Sequence, residues 1–332
     1  MIRRIYPKNG RVLNFIFKQN KEDFIVEELP IEFSLSGNFI VLKVEKQNCD
    51  TWELIDRLAK FLGIFSNEIG YSGLKDKRAT TTQYVTIPKK YSKEIKNFSS
   101  KKIKILDTFL HNKKLNIGDL EGNRFKINLY DVTFEELYHI EKMIKIVLKE
   151  GMPNYFGYQR FGKEVKDNLL KAKELLFGEA RVKDKKLEKM LILAYQSTFF
   201  NAWLVQRLKL NKDEFKLLDG DIFFDVEKQT LFSPKAISQK VLTDFKNKKI
   251  TPTGLLPGRD VLRASQDALQ IEQKYDDSQI YEKGYRREAI VFPKDISCKY
   301  DKEKSMCSLE FVLPKGSYAT VLIEYLANKN YS

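Results

Sequence analysis

The spacing of hydrophobic residues changes along the chain, and this change limits the fold more than any other feature. Residues 22–46 alternate between apolar and polar side chains, as in EDFIVEE and FIVLKVEK, which predicts two strands of a partly buried sheet. From about residue 151 to 284, segments such as MLILAYQSTFFNAWLVQRLKL repeat at helical spacing. Strand character returns in EAIVFP and SLEFVLP, at 288–293 and 308–314. The pattern predicts an α+β domain that is interrupted by a helical insertion. We expect the C-terminal end of the chain to rejoin the sheet of this domain.

Two helices of the first part have recognisable start signals. Asp50 is followed three residues later by Glu53, which resembles a capping box, and apolar residues then recur at helical spacing until Gly63. Thr133 and Glu136 repeat the same pattern. We therefore predict helices that start after positions 50 and 133.

The charge of the chain indicates the class of its partner. There are 59 Lys and Arg residues against 45 Asp and Glu residues, which gives a net charge of +14. Such an excess usually faces a polyanion, with nucleic acid as the first candidate and a membrane surface as the second. No apolar stretch reaches the roughly 18 residues of a membrane span, and the N-terminal segment lacks the apolar centre of a signal peptide. We predict a cytoplasmic protein that binds nucleic acid.

Cysteine and histidine are too few for several kinds of catalytic site. Cys49, Cys298 and Cys307 show no CxxC spacing, so we predict three ordinary thiols rather than a zinc site or a disulfide framework. His111 and His139 are the only histidines, and neither has the flanking residues of a metalloprotease or a catalytic triad. We therefore expect a carboxylate to carry any reaction.

The strongest local signal is the segment GYSGLKDKRATTTQ at residues 70–83. Its two glycines allow a tight turn and the close approach of a ligand. Its one acid, Asp76, stands among Lys75, Lys77 and Arg78, and such cationic neighbours keep a carboxylate ionised, as a nucleophile or base requires. The alternative is a solvated turn with an incidental ion pair, and spacing alone does not decide between the two.

Two segments resemble the signatures of one enzyme family. Residues 70–83 are similar to the GxAGxKDKxAxTxQ signature of the TruD family of tRNA pseudouridine synthases, with Ser72 in place of the usual alanine. The matching residues are Gly70, Gly73, Lys75, Asp76, Lys77, Ala79, Thr81 and Gln83. Residues 153–162, PNYFGYQRFG, resemble the family's PNYFGxQRFG signature. Shorter matches, from EDFIVEE to LPKGSYAT at 313–320, extend the resemblance over nearly the whole chain.

The resemblance implies a fold and a reaction. The fold is the pseudouridine synthase fold, an antiparallel sheet flanked by helices, with a mainly helical TRUD insertion domain. The implied catalytic domain comprises residues 1–150 and 285–332, and the implied insertion comprises residues 151–284. The reaction isomerises uridine in tRNA, customarily U13, by exchanging the N1-glycosidic bond for a bond to C5. The resemblance further implies a monomer whose partner is tRNA and which needs no metal and no organic cofactor.

The resemblance also implies roles for individual residues. Asp76 corresponds to the catalytic aspartate, which either attacks C1′ of the ribose or removes a proton from C2′ to give a glycal. The implied substrate-binding residues are Phe24, Asn123, Tyr318, Phe125 and Lys18, and family members often carry phenylalanine where Tyr318 stands. The candidate RNA contacts are Lys75, Lys77, Arg78 and Arg160.

Most of these residues also have a simpler interpretation. Phe24, Phe125 and Tyr318 lie in strand-like segments, where an aromatic side chain usually belongs to the core. Asn123 follows a glycine and would suit a tight turn, and Lys18 would suit a solvated surface. The aromatic residues around Arg160 would also suit packing at a domain junction, with some RNA contact.

Two other function classes fit parts of the sequence. A noncatalytic RNA-binding protein or RNA chaperone on the same scaffold would explain the basic charge and the aromatic content, although it would not need Asp76. A metal-dependent nuclease would use clustered acids such as Asp219 and Asp221, but a DGD segment more often forms a polar turn.

Overall fold

The computed structural model describes residues 3–6, 10–75, 77–162, 164–211 and 215–331. The chain divides into two compact units. The sheet unit comprises Asn14–Glu141 and Pro293–Gly316, and the helical unit comprises Met1–Leu13, Lys142–Phe292 and Ser317–Ser332. The domain borders that the resemblance implies, at 150/151 and 284/285, stay a prediction.

The described chain contains single strands and groups of successive strands, separated by one or two α-helices. The strands are β1 Ile16–Phe17, β2 Phe24–Pro30, β3 Phe39–Gln47, β4 Gly70–Tyr71, β5 Thr80–Pro88, β6 Ile103–His111, β7 Leu120–Tyr130, β8 Met152–Pro153, β9 Phe223–Asp225, β10 Thr230–Phe232, β11 Ile250–Leu256, β12 Tyr285–Glu288, β13 Ile290–Val291, β14 Lys294–Asp301 and β15 Met306–Pro314. The helices are α1 Thr51–Leu62, α2 Phe134–Glu150, α3 Val165–Leu176, α4 Lys185–Leu208, α5 Gln239–Lys246, α6 Gln266–Glu272 and α7 Ala319–Ala327. The class is α+β, as predicted.

The sheet unit is built on one nine-stranded sheet. Seven strands follow the order β14-β15-β7-β2-β5-β3-β6, while β1 pairs with β7 and β4 pairs with β5. β2 and β5 run parallel, with Val26 opposite Thr81, and the other pairings are antiparallel. The prediction of an antiparallel sheet is therefore wrong for this pair. The chain between β2 and β5 passes through β3, α1 and β4, which gives the long crossover that a parallel pair needs.

Helix α1 covers one face of this sheet. The Asp50 carboxylate accepts a hydrogen bond from the amide of Glu53 at 2.8 Å, so the predicted N-terminal cap is confirmed. Gly63 ends the helix with a φ of 66°, a left-handed conformation that glycine adopts without strain. Leu54 and Leu58 are fully buried in a core shared with β3 and β5. Burial of each such side chain stabilises the fold by about 1.5–3 kcal/mol. These contacts therefore hold α1 against the sheet.

The helical unit contains more sheet than its sequence predicts. A four-stranded sheet runs in the order β10-β9-β11-β12, and β13 pairs with β8. The prediction that the C-terminal end rejoins the large sheet is right for 308–314, which lies in β15, and wrong for 288–293, whose strands pair with β11 and β8. β11 is buried at every position. Its sequence therefore lacks the alternation of apolar and polar residues by which a half-exposed strand is recognised.

Helix α4 is the longest element of the helical unit, with 24 residues. It packs closely on β11 at Gly254, where an added Cβ would lie 2.3 Å from a ring carbon of Trp203. Only glycine permits this approach of strand to helix. Within the described ranges, no helix is both long enough and apolar enough to cross a membrane.

Two of the three cysteines are paired. Cys298 on β14 and Cys307 on β15 form a disulfide, with their Cα atoms 6.3 Å apart, whereas Cys49 is a buried free thiol. The prediction of three ordinary thiols is therefore wrong for this pair. The antiparallel hairpin brings together two residues that are nine positions apart, and a search for short CxxC spacing does not detect such a cross-strand pair.

Candidate active site

The loop between β4 and β5 carries the first signature. Asp76, its predicted catalytic residue, lies outside the described residues, but its neighbours on both sides are described. The amide of Lys75 donates to Oγ1 of Thr51 at 2.9 Å, and Thr51 Oγ1 donates to Oε1 of Gln83 at 3.1 Å. Thr51 begins α1 and Gln83 lies in β5. The residue before position 76 is therefore tied to two rigid elements of the sheet unit.

The ammonium of Lys75 lies between side chains of two neighbouring strands. Its Nζ is 2.6 Å from Oε2 of Glu28 on β2, and it donates to Oδ1 of Asn123 on β7 at 2.8 Å. Glu28 and Asn123 are directly opposite in the β2–β7 pairing, so their side chains leave the sheet on one face. The Lys75 side chain is 6% exposed and that of Glu28 is fully buried. Lys75 was a candidate RNA contact, and its ammonium points inward to these two partners.

This contact determines which end of the Asn123 amide faces Lys75. A lysine ammonium has donors and no acceptor, so the amide oxygen must face Lys75. The Nδ2 group of Asn123 is then the end directed away from Lys75, and it offers two donors. Uracil carries two carbonyl acceptors, O2 and O4, and an oriented amide NH₂ group can bind either. The substrate role of Asn123 stays a prediction, and an amide NH₂ group with this orientation would suit it.

Glu28 depends on Lys75 for its charge. Burial raises the pKa of Glu28, while the Lys75 ammonium, the Tyr84 amide at 3.2 Å and the Ser72 hydroxyl all favour the ionised form. A buried carboxylate without a cation costs several kcal/mol. The pair therefore fixes the Lys75 side chain, and through it Asn123, at a definite place on the sheet.

Two further signature residues have buried polar atoms that form no hydrogen bond with the described residues. Thr81 and Gln83 are two positions apart on β5, so their side chains share a face. Both are fully buried, and Thr81 Oγ1 and Gln83 Nε2 have no hydrogen-bond partner in the described part of the chain. Buried polar atoms usually have partners. Among the described residues, these two atoms are therefore hydrogen-bonding groups of the signature segment without an assigned partner.

The predicted aromatic residues of the sheet unit lie together in a buried cluster. The rings of Phe24 and Phe125 are 6.1 Å apart in an edge arrangement, and Phe125 stacks on Phe311 with the centroids 5.4 Å apart. Phe24 is 2% exposed and Phe125 is 7% exposed. The structure thus brings the two residues together within the core, and stacking on a base stays a prediction for both.

Lys18 lies beside a different carboxylate. Its Nζ is 5.1 Å from the centroid of the Tyr130 ring, and its charge acts on Asp23. Burial raises the pKa of Asp23, but hydrogen bonds from Tyr130, Asn20 and Asn128, together with Lys18, outweigh burial and lower it. Asp23, directly before β2, is therefore favoured in its ionised form.

Lys77 and Arg78 face solvent. The Lys77 side chain is 59% exposed, and its Nζ lies 3.8 Å from Oε2 of Glu53 in the first turn of α1. Arg78 is also exposed. Both remain available for an RNA phosphate, in contrast to Lys75.

The second signature and Tyr318 belong to the helical unit. Tyr318 precedes α7, and its ring centroid lies 6.1 Å from that of Phe156. Gly157 allows this approach, because an added Cβ there would lie 3.0 Å from Cδ1 of Tyr318. Arg160 donates to Ser197 Oγ at 3.1 Å, and its guanidinium lies 5.2 Å from the Phe156 centroid. The structure therefore places Arg160 and Tyr318 around one aromatic ring.

A second guanidinium, that of Arg287, lies against the same ring. It is 4.0 Å from the Phe156 centroid and 5.9 Å from that of Tyr318, and it donates to Oδ1 of Asn154 at 2.7 Å. No carboxylate lies within ion-pair distance of Arg287 in the described ranges. Burial lowers the pKa of Arg287 to about 10. Its charge is thus stabilised by aromatic faces and dipoles, with longer-range support from Glu288, and it places a positive charge beside Tyr318.

The acids of the DGD segment are committed to the fold of the helical unit. Asp221 accepts from Arg207 at 2.6 and 2.9 Å in a fully buried pair. Asp219 accepts from the amide of Ile237 at 2.7 Å. These bonds explain both carboxylates as structural groups, and they favour the polar-turn interpretation over that of a nuclease.

Comparison with known proteins identifies the family. The family model described as tRNA pseudouridine synthase D (TruD) matches residues 4–183 and 179–325. The chain belongs to the TruD family. The tRNA pseudouridine synthase D of a Nitratiruptor species is 39% identical over 355 residues, which cover 98% of each chain. That of Helicobacter acinonychis (strain Sheeba) is 33% identical over 367 residues, which cover 98% of this chain and 96% of the relative.

A solved structure supports the TruD fold. The crystal structure of a protein described as tRNA pseudouridine synthase D (TruD) from Methanosarcina mazei matches with a TM-score of 0.74. The match covers 98% of this chain and 96% of the other, at 24% sequence identity. At that identity the likeness speaks for the fold alone, and the fold of the TruD family is thus the fold of this chain.

Several residues of this TruD chain contact predicted site residues but were not themselves predicted as part of a site, and three of them stand out. Glu28 and Thr51 hold Lys75, and Arg287 lies beside Tyr318. Glu28 belongs to the quoted EDFIVEE segment, but a segment with two successive glutamates gives no sign that one of them is buried. Arg287 belongs to an Arg286-Arg287 pair that is one of the shorter matches to the family, but that match assigned it no role.

Proposed function

We propose that the chain is a tRNA pseudouridine synthase, an isomerase that converts uridine at position 13 of tRNA to pseudouridine. In this proposal Asp76 is the catalytic carboxylate, and no metal or organic cofactor takes part. Membership of the TruD family over nearly the full length supports the activity, since the relatives are named for it. The position of Asp76 in the matching signature supports its role.

The observation that carries the proposal is the arrangement around Lys75. A pseudouridine synthase must hold the uracil after it has left the sugar, and it must do so with directional hydrogen bonds. Asn123, oriented by Lys75, offers its Nδ2 group for this purpose from a rigid strand. The neighbouring residue in the chain is Asp76. The backbone bond from Lys75 to Thr51 and the ion pair with Glu28 would then position both the base-binding group and the catalytic carboxylate.

The proposed reaction is balanced without any co-reactant. The bond between N1 and C1′ breaks, and a bond between C5 and C1′ forms after the base has turned. The proton at C5 is lost and N1 gains a proton, so product and substrate have the same composition. Asp76 would act either by attacking C1′ or by removing a proton from C2′. Both routes need an ionised carboxylate, which the neighbouring Lys77 and Arg78 favour.

The remaining candidate residues would bind the RNA. An extruded base loses stacking energy of a few kcal/mol, and an aromatic side chain returns about 1–3 kcal/mol per stacked base. We propose that Tyr318 contacts a base through its ring, and that Phe24 and Phe125, which are largely buried, contact the base only through the parts of their rings that the core leaves exposed. Lys18, Lys77 and Arg78 would contact phosphates, and the net charge of +14 favours the approach of tRNA.

The proposal is tested by incubating the purified protein with a tRNA transcript in the presence of a chelator. Pseudouridine is then mapped by carbodiimide adducts and reverse transcription, and we expect one new site, at U13. Binding without new pseudouridine would favour the noncatalytic RNA-binding protein. Strand cleavage would favour a nuclease. Formation of pseudouridine that requires an added metal ion would contradict the cofactor-free reaction.

The contribution of Tyr318 can be separated into its ring and its hydroxyl. We expect Tyr318→Phe to keep kcat/KM within about threefold, because the ring supplies the stacking. We expect Tyr318→Leu to lower kcat/KM by about tenfold or more, since the stacking of about 1–3 kcal/mol is lost. Steady-state isomerisation of tRNA measures both. Equal activity of the Leu variant would show that Tyr318 only packs against Phe156.

Arg160 tests whether the second signature contacts RNA. We expect Arg160→Gln to weaken tRNA binding by a similar factor for different tRNAs and to reduce the slope of log K against log salt by about 1. Arg160→Lys is the matched control, which keeps the charge and should keep the slope. Filter binding at several salt concentrations gives both quantities. If the slope of the Gln variant equals that of the wild type, Arg160 serves packing alone.

A further inference from the structure

One segment of the sheet unit holds a large share of the net charge. Residues 89–104, KKYSKEIKNFSSKKIK, contain seven lysines and a single acid, Glu94. The segment leads from β5 into β6 and includes two short 3₁₀ turns, Lys89–Tyr91 and Glu94–Asn97. No role in the proposed isomerisation uses these lysines. They are therefore a charged patch that needs a separate explanation.

Four of these lysines line a surface hollow of about 630 Å³. We call it the lysine hollow, and its lining includes Lys96, Lys101, Lys102, Lys104, Ser99 and Ser100. Glu45 is the one acidic residue among the residues that line it. The lining therefore offers several ammonium groups and two hydroxyl groups to an anion.

Most of the charge in the lysine hollow is not neutralised by the protein. Lys96, Lys101 and Lys104 are exposed, and within the described ranges none of them forms an ion pair, although Glu45 lies directly opposite Lys104 in the β3–β6 pairing. Lys102 differs, since its Nζ lies 3.1 Å from Oε1 of Glu53. Exposed lysines concentrated in one place repel each other, and a bound polyanion removes that repulsion.

The hollow is connected to the signature loop through Glu53. One carboxylate oxygen of Glu53 meets Lys102, and the other lies 3.8 Å from Nζ of Lys77, one residue beyond Asp76. Arg57 contacts the same carboxylate at 2.9 Å, so Glu53 is surrounded by three cations. Positive charge thus continues along the surface from the signature loop to the lysine hollow.

Protection of a sheet edge explains only part of this pattern. β6 ends the strand order, and lysines on an edge strand discourage pairing with other chains. Lys104 lies in β6 and fits that explanation. Lys96 and Lys101 lie outside the strand, so edge protection does not account for them.

We propose that the lysine hollow binds the phosphodiester backbone of RNA at nucleotides outside the target uridine. The backbone would run from the signature loop past Glu53 into the hollow, where Lys96, Lys101 and Lys104 each meet a phosphate and the serine hydroxyls add hydrogen bonds. Lysine suits this role because it is a flexible point charge that binds phosphate without reading sequence. The proposal rests on the proposed function for its RNA substrate and extends it to a second contact region.

The test is the triple variant Lys96→Gln, Lys101→Gln, Lys104→Gln, which leaves the Lys102–Glu53 pair intact. Its matched control is Lys240→Gln, Lys246→Gln, Lys249→Gln, which removes the same charge from exposed positions in and next to α5 of the helical unit. Binding of a full-length tRNA transcript is measured at several salt concentrations. We expect the hollow variant to bind about tenfold or more weakly and to lose about 2 from the slope of log K against log salt. The control variant should keep at least most of the wild-type slope.

The outcomes separate this proposal from the proposed function. Equal affinities and slopes for the hollow and control variants, with pseudouridine still formed by the wild type, would overturn RNA binding by the lysine hollow and leave the proposed isomerase function intact. Unchanged RNA affinity together with new self-association in size-exclusion chromatography would overturn it in favour of edge protection. A wild type that forms no pseudouridine, but whose RNA binding depends on the hollow lysines, would support the hollow and contradict the isomerase.

Discussion

Replacement of Asp76 by asparagine is expected to abolish pseudouridine formation while the fold and the affinity for tRNA are kept. An amide neither attacks C1′ nor removes a proton from C2′, so both proposed routes are blocked by the same change. We expect the rate of isomerisation to fall by about 10³-fold or more, as for other groups that perform the covalent or proton-transfer step. Single-turnover assays on a tRNA transcript measure the rate.

The control for this variant is Asp131→Asn in the same unit. Asp131 is exposed in a turn with a φ of 55°, a left-handed conformation that asparagine tolerates well. Asp131→Asn removes one negative charge, as Asp76→Asn does, and should leave the rate of isomerisation unchanged. Retained turnover by Asp76→Asn would remove the catalytic role of this residue. Loss of RNA binding together with activity would instead point to a structural role.

The second large effect is expected for Lys75→Met, which leaves the carboxylate of Glu28 buried without its cation. Loss of one partner from a buried ion pair typically costs about 3–5 kcal/mol, and we expect that decrease in the free energy of unfolding at neutral pH. The amide of Asn123 also loses the group that orients it. We therefore expect a fall in kcat as well, with both effects measured by urea unfolding and by isomerisation of tRNA.

A double variant separates stability from positioning. Glu28→Gln in the Lys75→Met background leaves no buried charge at this place, so most of the lost stability should return. The orientation of Asn123 should not return, because methionine donates no hydrogen bond to its amide oxygen. We expect stable protein with low kcat. Recovery of both stability and kcat would show that Lys75 only supports the fold.

The same pair predicts how stability depends on pH. Burial raises the pKa of Glu28, and loss of the Lys75 ammonium removes the strongest opposing charge. A folded carboxylate with a raised pKa binds more protons than the unfolded one, so stability falls as pH rises through that range. Lys75→Met should therefore lose less stability at pH 5 than at pH 7.5. A deficit that is equal at both pH values would contradict a buried ionisable group as its cause.

Local signals in the sequence identified the helices well. Thr133 and Glu136 form the predicted capping box, with hydrogen bonds of 3.1 and 3.2 Å between the amide of each residue and the side chain of the other. Such signals act within one turn, so the residues that determine the structure are neighbours in the sequence. The same is true of the cap at Asp50.

The contacts that build the candidate site are not local, and the sequence did not reveal them. Lys75 meets Glu28 and Asn123, which are 47 positions earlier and 48 positions later in the chain. Their approach depends on β2 lying between β5 and β7, and no single strand encodes that order. Charged residues in strand-like segments also suggest a solvated face, so a buried Lys–Glu pair is the opposite of what the pattern indicates. Family signatures identified Lys75 and Asn123, but not their contact.

The pairing of β7 ties the completion of the site to the synthesis of the C-terminal region. β7, which carries Asn123, lies between β2 and β15, and β15 begins only at Met306. A ribosome-bound chain that stops short of this strand presents one side of β7 as an open edge. Open edges accept strands from other molecules, so nascent chains are exposed to misassembly at the strand that holds Asn123. The open edge of β7 is covered only when the β14–β15 hairpin has left the ribosome and β15 pairs with β7.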